Sequence, residues 1–250
     1  MPHTYSLSPI GEIESPFKEK FGIPRQPGLC NAALGSIKLY GDANNEMAVK
    51  DLTQHSHIWI LFLFHQNLEQ GWKPSVRPPR LGGNQKTGVF ATRSTFRPNG
   101  IGMSAVKLLG VRQSGQQWFV DVQGVDLLDG TPVVDIKPYI PYSDKIEQAH
   151  SDMADSAPTQ SLNVVFCQQA QTQLSQYKKV TNNQYPHLEQ LISQVLQQDP
   201  RPSYKQNKPD DKIYGIRLYD INIRWQVTNN RCDVLAIELD NEQTQGIKGK

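Results

Sequence analysis

The sequence predicts a mainly β protein, with a small β-barrel in the first part of the chain and a smaller α+β unit after it. Up to about Tyr142, short apolar segments alternate with Gly and Pro, and no long stretch has helical periodicity. Many short strands without intervening helices are typical of a closed or partly closed barrel. Later in the chain, amphipathic helical patterns and alternating strands occur together. The 250 residues suffice for one large domain or two modest ones.

Seven strands and one short helix are predicted in the first unit. The segment 58–64 is apolar at every residue, which predicts a central strand covered on both faces. In the segment 117–122, by contrast, Trp118, Val120 and Val122 fall on one face. The helix is expected around residues 45–53. The predicted strands are 5–13, 36–39, 58–64, 88–92, 104–111, 117–122 and 131–136.

A change of composition over residues 142–160, where Ser, Asp, Ala and Gln dominate, predicts the domain boundary. We therefore expect one domain over residues 1–147 and another over residues 158–242. The second begins with a strand over 162–166 and a Gln-rich helix that ends near Lys179. Pro186 starts the next helix, whose apolar face is formed by Leu188, Leu191, Ile192, Val195 and Leu196. Strands over 213–219, 221–227 and 234–239 follow, with a hairpin turn at Asn229-Asn230.

Composition excludes several protein classes. A mean hydropathy of -0.55 and 20% charged residues fit a globular protein, and the longest apolar run, 58–64, is shorter than the roughly 20 residues that span a bilayer. The N-terminal residues lack the features of a secretory signal, which predicts a cytoplasmic protein. Cys30, Cys167 and Cys232 are odd in number and far apart, so neither a disulfide framework nor a metal site is predicted.

Charge is segregated although the net charge is only +2. No Asp or Glu occurs from Gln70 to Val120, a segment that we call the basic window. Such segregation is as typical of a surface that binds a large anion, nucleic acid above all, as of a cationic face that is merely solvated. The cations of the basic window are Lys73, Arg77, Arg80, Lys86, Arg93, Arg97, Lys107 and Arg112.

One glycine pattern points to a different function. Residues 100–105 match G-x-G-x-x-A, and Asp121 follows about twenty residues later, as in dinucleotide-binding sites. That pattern must leave a strand and open a helix, whereas here Pro98 precedes it and a β-like run follows. A nicotinamide-dependent oxidoreductase is therefore the least favoured function.

Glycine and arginine are concentrated in residues 77–84 and 88–102. Glycine lets a backbone amide approach an anion closely, and the planar guanidinium matches carboxylate and phosphate. Ordinary loops need Gly and Pro but not this many arginines. These segments therefore predict an anion-binding site.

Several separate motifs over nearly the whole chain resemble the TrmO family, also called YaeB or TsaA-like. The matching motifs are residues 16–21, 24–28, 57–60, 64–66, 78–83, 92–94, 97–99, 128–132, 199–202 and 224–225. The family consists of S-adenosylmethionine-dependent methyltransferases that act on N6 of threonylcarbamoyladenosine beside the tRNA anticodon. One departure is Gly100, where the family usually has proline, and this should loosen the turn.

The resemblance implies a barrel, not a Rossmann fold, that binds S-adenosylmethionine as a homodimer, without a metal. Arg25 or Arg93 would bind the cofactor's carboxylate, and Asp129 would receive its ammonium or a ribose hydroxyl. His65 and Asp129 are candidates for the base by chemistry and position, but no base is assigned. The implied cofactor-binding residues are Pro24, Arg25, Gln26, His65, Gln66, Arg93, Met103, Asp129, Gly130, Thr131 and Pro132.

The predicted partner is tRNA carrying threonylcarbamoyladenosine, contacted by both units. RNA-binding candidates are Arg77, Arg80, Arg97, Arg201, Tyr204 and Lys205. Trp225 alternates with Ile221 and Ile223, which favours burial of its ring over stacking on RNA. The alternative function is a non-catalytic RNA-binding module.

Overall fold

Six antiparallel strands close into a barrel in the computed structural model, which describes residues 3–78, 85–158, 162–202, 205–206 and 210–240. The strands of the first unit are β1 (Gly11–Glu14), β2 (Leu34–Leu39), β3 (His57–Leu63), β4 (Ser75–Val76), β5 (Thr87–Gly88), β6 (Ile101–Ser114), β7 (Gln117–Gln123) and β8 (Thr131–Pro138). The barrel order is β1-β2-β7-β6-β3-β8, and β4 and β5 form a separate ladder. The predicted barrel is confirmed.

Alternating side chains of the barrel strands fill its interior. Ile13 lies opposite Ile37 on β2 and opposite Thr131 on β8, so β1 pairs on both sides and the sheet has no free edge there. Val120 and Val122 of β7 are fully buried, as their alternation predicts. The barrel core is thus made mainly of β-branched residues, which pack well on a pleated surface.

The strand predicted over 58–64 is covered on one face only. Ile58 and Ile60 are fully buried, whereas Trp59, Leu61 and Leu63 are half-buried. The outer face is apolar because the Trp59 ring packs on Tyr139 and the two leucines form a wall of a cleft described below. The expectation of burial on both faces was therefore wrong.

Other predicted elements differ from the structure at their ends. Strand β1 begins at Gly11 rather than at residue 5, and most of the segment 88–92 is a 3-10 helix, Val89–Ala91, that follows β5. The helix predicted over 45–53 is interrupted because Asp51 has a left-handed φ of 62°. It divides into α1 (Glu46–Val49) and a 3-10 turn, Leu52–Gln54.

The second unit is a four-stranded sheet with two helices. Its elements are β9 (Asn163–Phe166), α3 (Gln168–Val180), α4 (Leu188–Gln197), β10 (Asp210–Leu218), β11 (Ile221–Thr228) and β12 (Arg231–Leu239), and the short α2 (Pro141–Asp144) precedes them. The sheet order is β10-β11-β12-β9, with β9 parallel to β12. All five residues of the predicted apolar face of α4 are buried, and the hairpin at Asn229-Asn230 is confirmed.

Residues 15–32, which we call the connecting segment, pack the barrel against this sheet. Phe17 is 1% exposed and forms a β-bridge with Leu218, and the Glu19 carboxylate accepts a hydrogen bond from the Arg217 amide at 3.0 Å. The Phe21 ring stacks at 6.4 Å from Trp225, which is fully buried. Burial of Trp225 is thereby confirmed, and its ring is not available to stack on RNA.

Within the described ranges, the helices are too short or too polar to span a bilayer.

Candidate active site

A cleft of about 760 Å³ opens beside β3 and the start of β6. This volume is in the range of roughly 300–1,000 Å³ that is usual for small-molecule sites. One wall is residues 20–26 of the connecting segment, and another is the end of β3 with the 3-10 helix His65–Gln70. The remaining walls are the loop 92–97 and residues 126–128 with Thr131. Loops positioned by a rigid barrel are a common arrangement for binding sites.

Hydrogen bonds from the turn before β6 hold the loops of the cleft in place. Gly100 has φ of +59°, donates to the Arg97 carbonyl at 3.1 Å and accepts from the Phe64 amide at 2.7 Å. Proline has neither this φ nor an N–H, so the turn cannot have this shape in a chain with proline at position 100. The turn is closed by these two hydrogen bonds, and the looseness expected from Gly100 stays a prediction.

The glycine pattern at residues 100–105 opens strand β6 and not a helix. The helix N-terminus that would bind a pyrophosphate is therefore missing at this point. This agrees with the low rank given to a nicotinamide site.

Eight of the eleven residues implied as cofactor-binding line the cleft together. They are Pro24, Arg25, Gln26, His65, Gln66, Arg93, Met103 and Thr131. The Arg93 guanidinium donates a short hydrogen bond to the Gln26 side-chain oxygen. Two distant parts of the sequence, the connecting segment and the loop 92–97, are thus joined across the mouth of the cleft.

The other three residues lie outside the cleft. Asp129 and Gly130 line a second cavity, and Pro132 lines neither cavity. The Asp129 carboxylate is 2.6 Å from the Lys18 ammonium and accepts a hydrogen bond from the Ser15 amide at 2.8 Å. Its negative charge is therefore already paired within the protein.

Asp126 is a site residue that the sequence analysis missed. It is the only carboxylate among the described residues that line the cleft. The Ser104 hydroxyl, only 1% exposed, donates to Asp126 Oδ1 at 2.7 Å. Burial raises the pKa of Asp126 to about 6, although the Ser104 hydrogen bond and the nearby Arg93 charge lower it. The available signal was one acidic residue inside the apolar run 125–128.

The second cavity, of about 880 Å³, lies between the barrel and the stacked rings of Tyr185 and Tyr219. Glu12, Glu14 and Asp121 line it together with the paired Asp129. Carboxylates dominate this lining, so it does not suit phosphate groups.

The structure divides the RNA-binding candidates. Arg77 is exposed, and Lys205 is half-buried with its ammonium 3.2 Å from the Tyr214 hydroxyl. Arg97 is half-buried and donates to the Thr92 carbonyl at 2.6 Å, so it also holds the loop in shape. Arg80 and Tyr204 lie outside the described residues.

Arg201 is a correction to the predicted RNA surface. Its side chain is 2% exposed and forms a two-pronged ion pair with Asp199, both nitrogen–oxygen distances being 2.7 Å. A guanidinium enclosed in this way cannot reach a phosphate. The expectation that it contacts RNA was wrong, because sequence shows that an arginine is present but not which way its side chain points.

Two exposed aromatic side chains of the basic window were not singled out. Trp72 is 52% exposed and Phe90 is 74% exposed. Lys73, next to Trp72, places its ammonium 4.0 Å from the centre of the Phe96 ring, a cation–π contact. Exposed rings interleaved with cations are typical of surfaces that bind single-stranded nucleic acid.

In the parts of the chain that the structure describes, no three His, Cys, Asp or Glu side chains form a group that could hold a metal ion.

Comparison with known proteins matches both units to one family. The model of the tRNA-methyltransferase O (TrmO) N-terminal domain matches residues 12–145, and that of the TrmO C-terminal domain matches residues 159–240. The "tRNA (adenine(37)-N6)-methyltransferase" of Escherichia coli K12 is 47% identical over 94% of this chain and 98% of its own length. The "putative S-adenosylmethionine-dependent methyltransferase RcsF" of Pseudomonas aeruginosa is 48% identical over 89% of this chain and 92% of its own.

Solved structures extend the similarity to three dimensions. A crystal structure of TrmO from Pseudomonas aeruginosa superposes with a TM-score of 0.77 at 40% identity, covering 96% of this chain and 99% of that one. Barrel and second unit thus occur together in that relative.

Proposed function

The chain belongs to the TrmO family of tRNA methyltransferases, and we propose that it methylates N6 of threonylcarbamoyladenosine beside the tRNA anticodon, using S-adenosylmethionine. The observation that carries this proposal is the cleft. It brings Arg25, Arg93 and His65 from three distant parts of the sequence together with one half-buried carboxylate, that of Asp126. Both signs of charge beside apolar walls are what this cofactor requires.

The chemistry of the cleft fits S-adenosylmethionine, which supplies a methyl group on a positively charged sulfur when bound. Arg93, fixed by its hydrogen bond to Gln26, would bind the carboxylate of the methionine part. His65 and Gln66, at the end of β3, offer polar edges to an adenine ring. We propose the eight cleft residues named above as the binding set, with Asp129, Gly130 and Pro132 shaping the turn next to them.

Catalysis then depends mainly on alignment. In-line displacement at a methyl carbon requires the acceptor and leaving atoms to be held collinear in a site with little water. The Phe62 and Phe64 rings, packed edge to face at 5.2 Å, provide a rigid apolar wall beside Leu61 and Leu63. Since both leucines sit on a barrel strand, that wall is well positioned to orient the reactants.

The basic window supports the proposed binding of tRNA. Arg77 and Lys73 would contact phosphates, and the exposed rings of Trp72 and Phe90 would stack on bases of the anticodon loop. We propose residues 1–147 as the cofactor domain and residues 158–242 as a second tRNA-binding domain. Lys205 and the exposed Arg224 are the cations in the described part of the second domain that we place on this surface.

We further propose that the protein acts as a homodimer in the cytoplasm, where tRNA is modified. Met103 is 53% exposed at the rim of the cleft, and a second copy of the chain would remove this apolar side chain from water. Sedimentation equilibrium tests the dimer, and a monomer at micromolar concentration would contradict it.

Methyl transfer with a radiolabelled donor tests the reaction. We expect label in tRNA that carries threonylcarbamoyladenosine and none in the same tRNA lacking that modification. Equal labelling of both would reject the acceptor. A non-catalytic RNA-binding module would show salt-dependent RNA affinity but no heat with S-adenosylmethionine in calorimetry.

A further inference from the structure

We propose that Asp126 is the catalytic base, whose carboxylate accepts the proton that N6 of the acceptor adenosine loses. This inference rests on the proposed function. It names the residue that acts as base, a role that neither the motifs nor the comparisons assign. The sequence analysis named His65 and Asp129 as candidates for this base and assigned neither. The structure removes Asp129 from consideration because its carboxylate faces the second cavity and is paired with Lys18.

A base is required by the balance of the reaction. The N6 electron pair forms the new N–C bond while the C–S bond breaks, and the pair from that bond remains on sulfur, which becomes neutral. Nitrogen would keep a positive charge unless its proton leaves, and the carboxylate of Asp126 takes that proton. No other reactant is needed, because the donor's positive charge is cancelled and the proton is held by the protein.

The surroundings of Asp126 suit this role. It lines the same cleft as the proposed cofactor residues, and Ser104, itself buried on a barrel strand, fixes the carboxylate through Oδ1. Within the described chain, the Ser104 hydroxyl is the side-chain donor to this carboxylate, and the backbone amide of Asp126 also lowers its pKa. A base works best when its pKa is near the working pH, and burial raises the pKa of Asp126 to about 6.

Neighbouring charges explain why this carboxylate still ionises. Arg93, on the loop 92–97, is the charged group whose attraction acts on Asp126. The other titratable groups of the cleft are Lys20 and Arg25 on the connecting segment, His65 after β3, and Arg97 on the loop. All four are basic side chains of the same cleft. Above pH 6 a substantial fraction of Asp126 is therefore ionised and able to take a proton.

Asp126→Asn is the direct test, because asparagine keeps the shape and can still accept from Ser104. At saturating S-adenosylmethionine we expect kcat at pH 8 to fall by about 10²- to 10⁴-fold. The acid limb of the wild-type kcat profile should disappear in the variant. Asp135→Asn is the matched control, since Asp135 lies on β8 outside the cleft and pairs with the exposed Lys137. Its profile should match that of the wild type.

A second variant separates a base from a merely structural carboxylate. Ser104→Ala removes a hydrogen bond that lowers the pKa of Asp126, so the acid limb should move to higher pH. Carboxyl carbon NMR of the free protein, assigned with Asp126→Asn, gives a readout without turnover. We expect a titration midpoint near pH 6.

The outcomes are distinguishable. A midpoint near pH 4, or an Asp126→Asn enzyme that keeps its acid limb and kcat, overturns the base and leaves the methyltransferase proposal standing. A variant that only weakens binding of S-adenosylmethionine in calorimetry, with kcat unchanged, identifies Asp126 as a cofactor anchor and also overturns the inference. A wild-type protein that transfers no methyl group overturns the proposed function itself.

Discussion

Replacing Asp126 with asparagine should make the free protein more stable at neutral pH. Burial raises the pKa of this carboxyl from 3.8 to about 6, so the folded protein holds its proton more tightly than the unfolded chain does. A folded-state pKa above the unfolded value stabilises the fold at low pH, and the contribution is lost as pH rises through about 6. Each tenfold change in an ionisation constant is worth about 1.4 kcal/mol, which gives about 3 kcal/mol for Asp126.

Urea unfolding of the wild type and of Asp126→Asn at several pH values measures this effect. The two proteins should be nearly equal in stability at pH 3.5, where the carboxyl is protonated in the folded protein and mostly protonated in the unfolded chain. At pH 7.5 the free energy of unfolding of the variant should exceed that of the wild type by up to about 3 kcal/mol, since asparagine carries no charge to bury. Asp135→Asn should not reproduce this gain. A difference between wild type and Asp126→Asn that stays constant with pH would refute the reasoning.

Three further predictions follow from contacts at the cleft and the surface. Arg93→Ala should lower affinity for S-adenosylmethionine by about 10- to 100-fold in calorimetry without unfolding the protein, and unchanged affinity would remove Arg93 from the site. Trp72→Ala and Phe90→Ala should each weaken tRNA binding in filter assays by about 5- to 100-fold. The melting temperature of the protein should not change, because both rings are exposed. Normal tRNA binding by both variants would place the RNA elsewhere. Arg201→Ala should cost about 3–5 kcal/mol in urea unfolding, because it leaves a buried carboxylate unpaired, and a loss below 1 kcal/mol would contradict the ion pair's role.

The fold was predictable where one local pattern decides the structure. Alternation placed Val120 and Val122 inside the barrel, and helical periodicity placed the apolar face of α4 in the core. The same reasoning failed for the segment 58–64, because an apolar outer face can line a cleft as well as a core. It also failed at residue 51, where one left-handed residue interrupts a helical pattern.

The candidate site was predictable as a set of motifs but not in its acid–base detail. Arg93 and Gln26 were identified from their motifs, while their mutual hydrogen bond depends on packing between segments 67 residues apart. Asp126 and Asp129 are three residues apart and chemically alike. Which carboxylate enters the cleft is decided by Ser104 and Lys18, whose positions only the folded barrel determines.

The connecting segment has a consequence for how such enzymes can be recombined. Lys20 and residues 23–26 face the cofactor cleft, while Phe17 and Phe21 of the same segment contact the second unit. Cutting the chain after the barrel would expose both rings to water and leave one side of the cleft without support. A chimaera that exchanges tRNA preference between relatives therefore has to include residues 15–32 together with the second unit, because these residues pack against it.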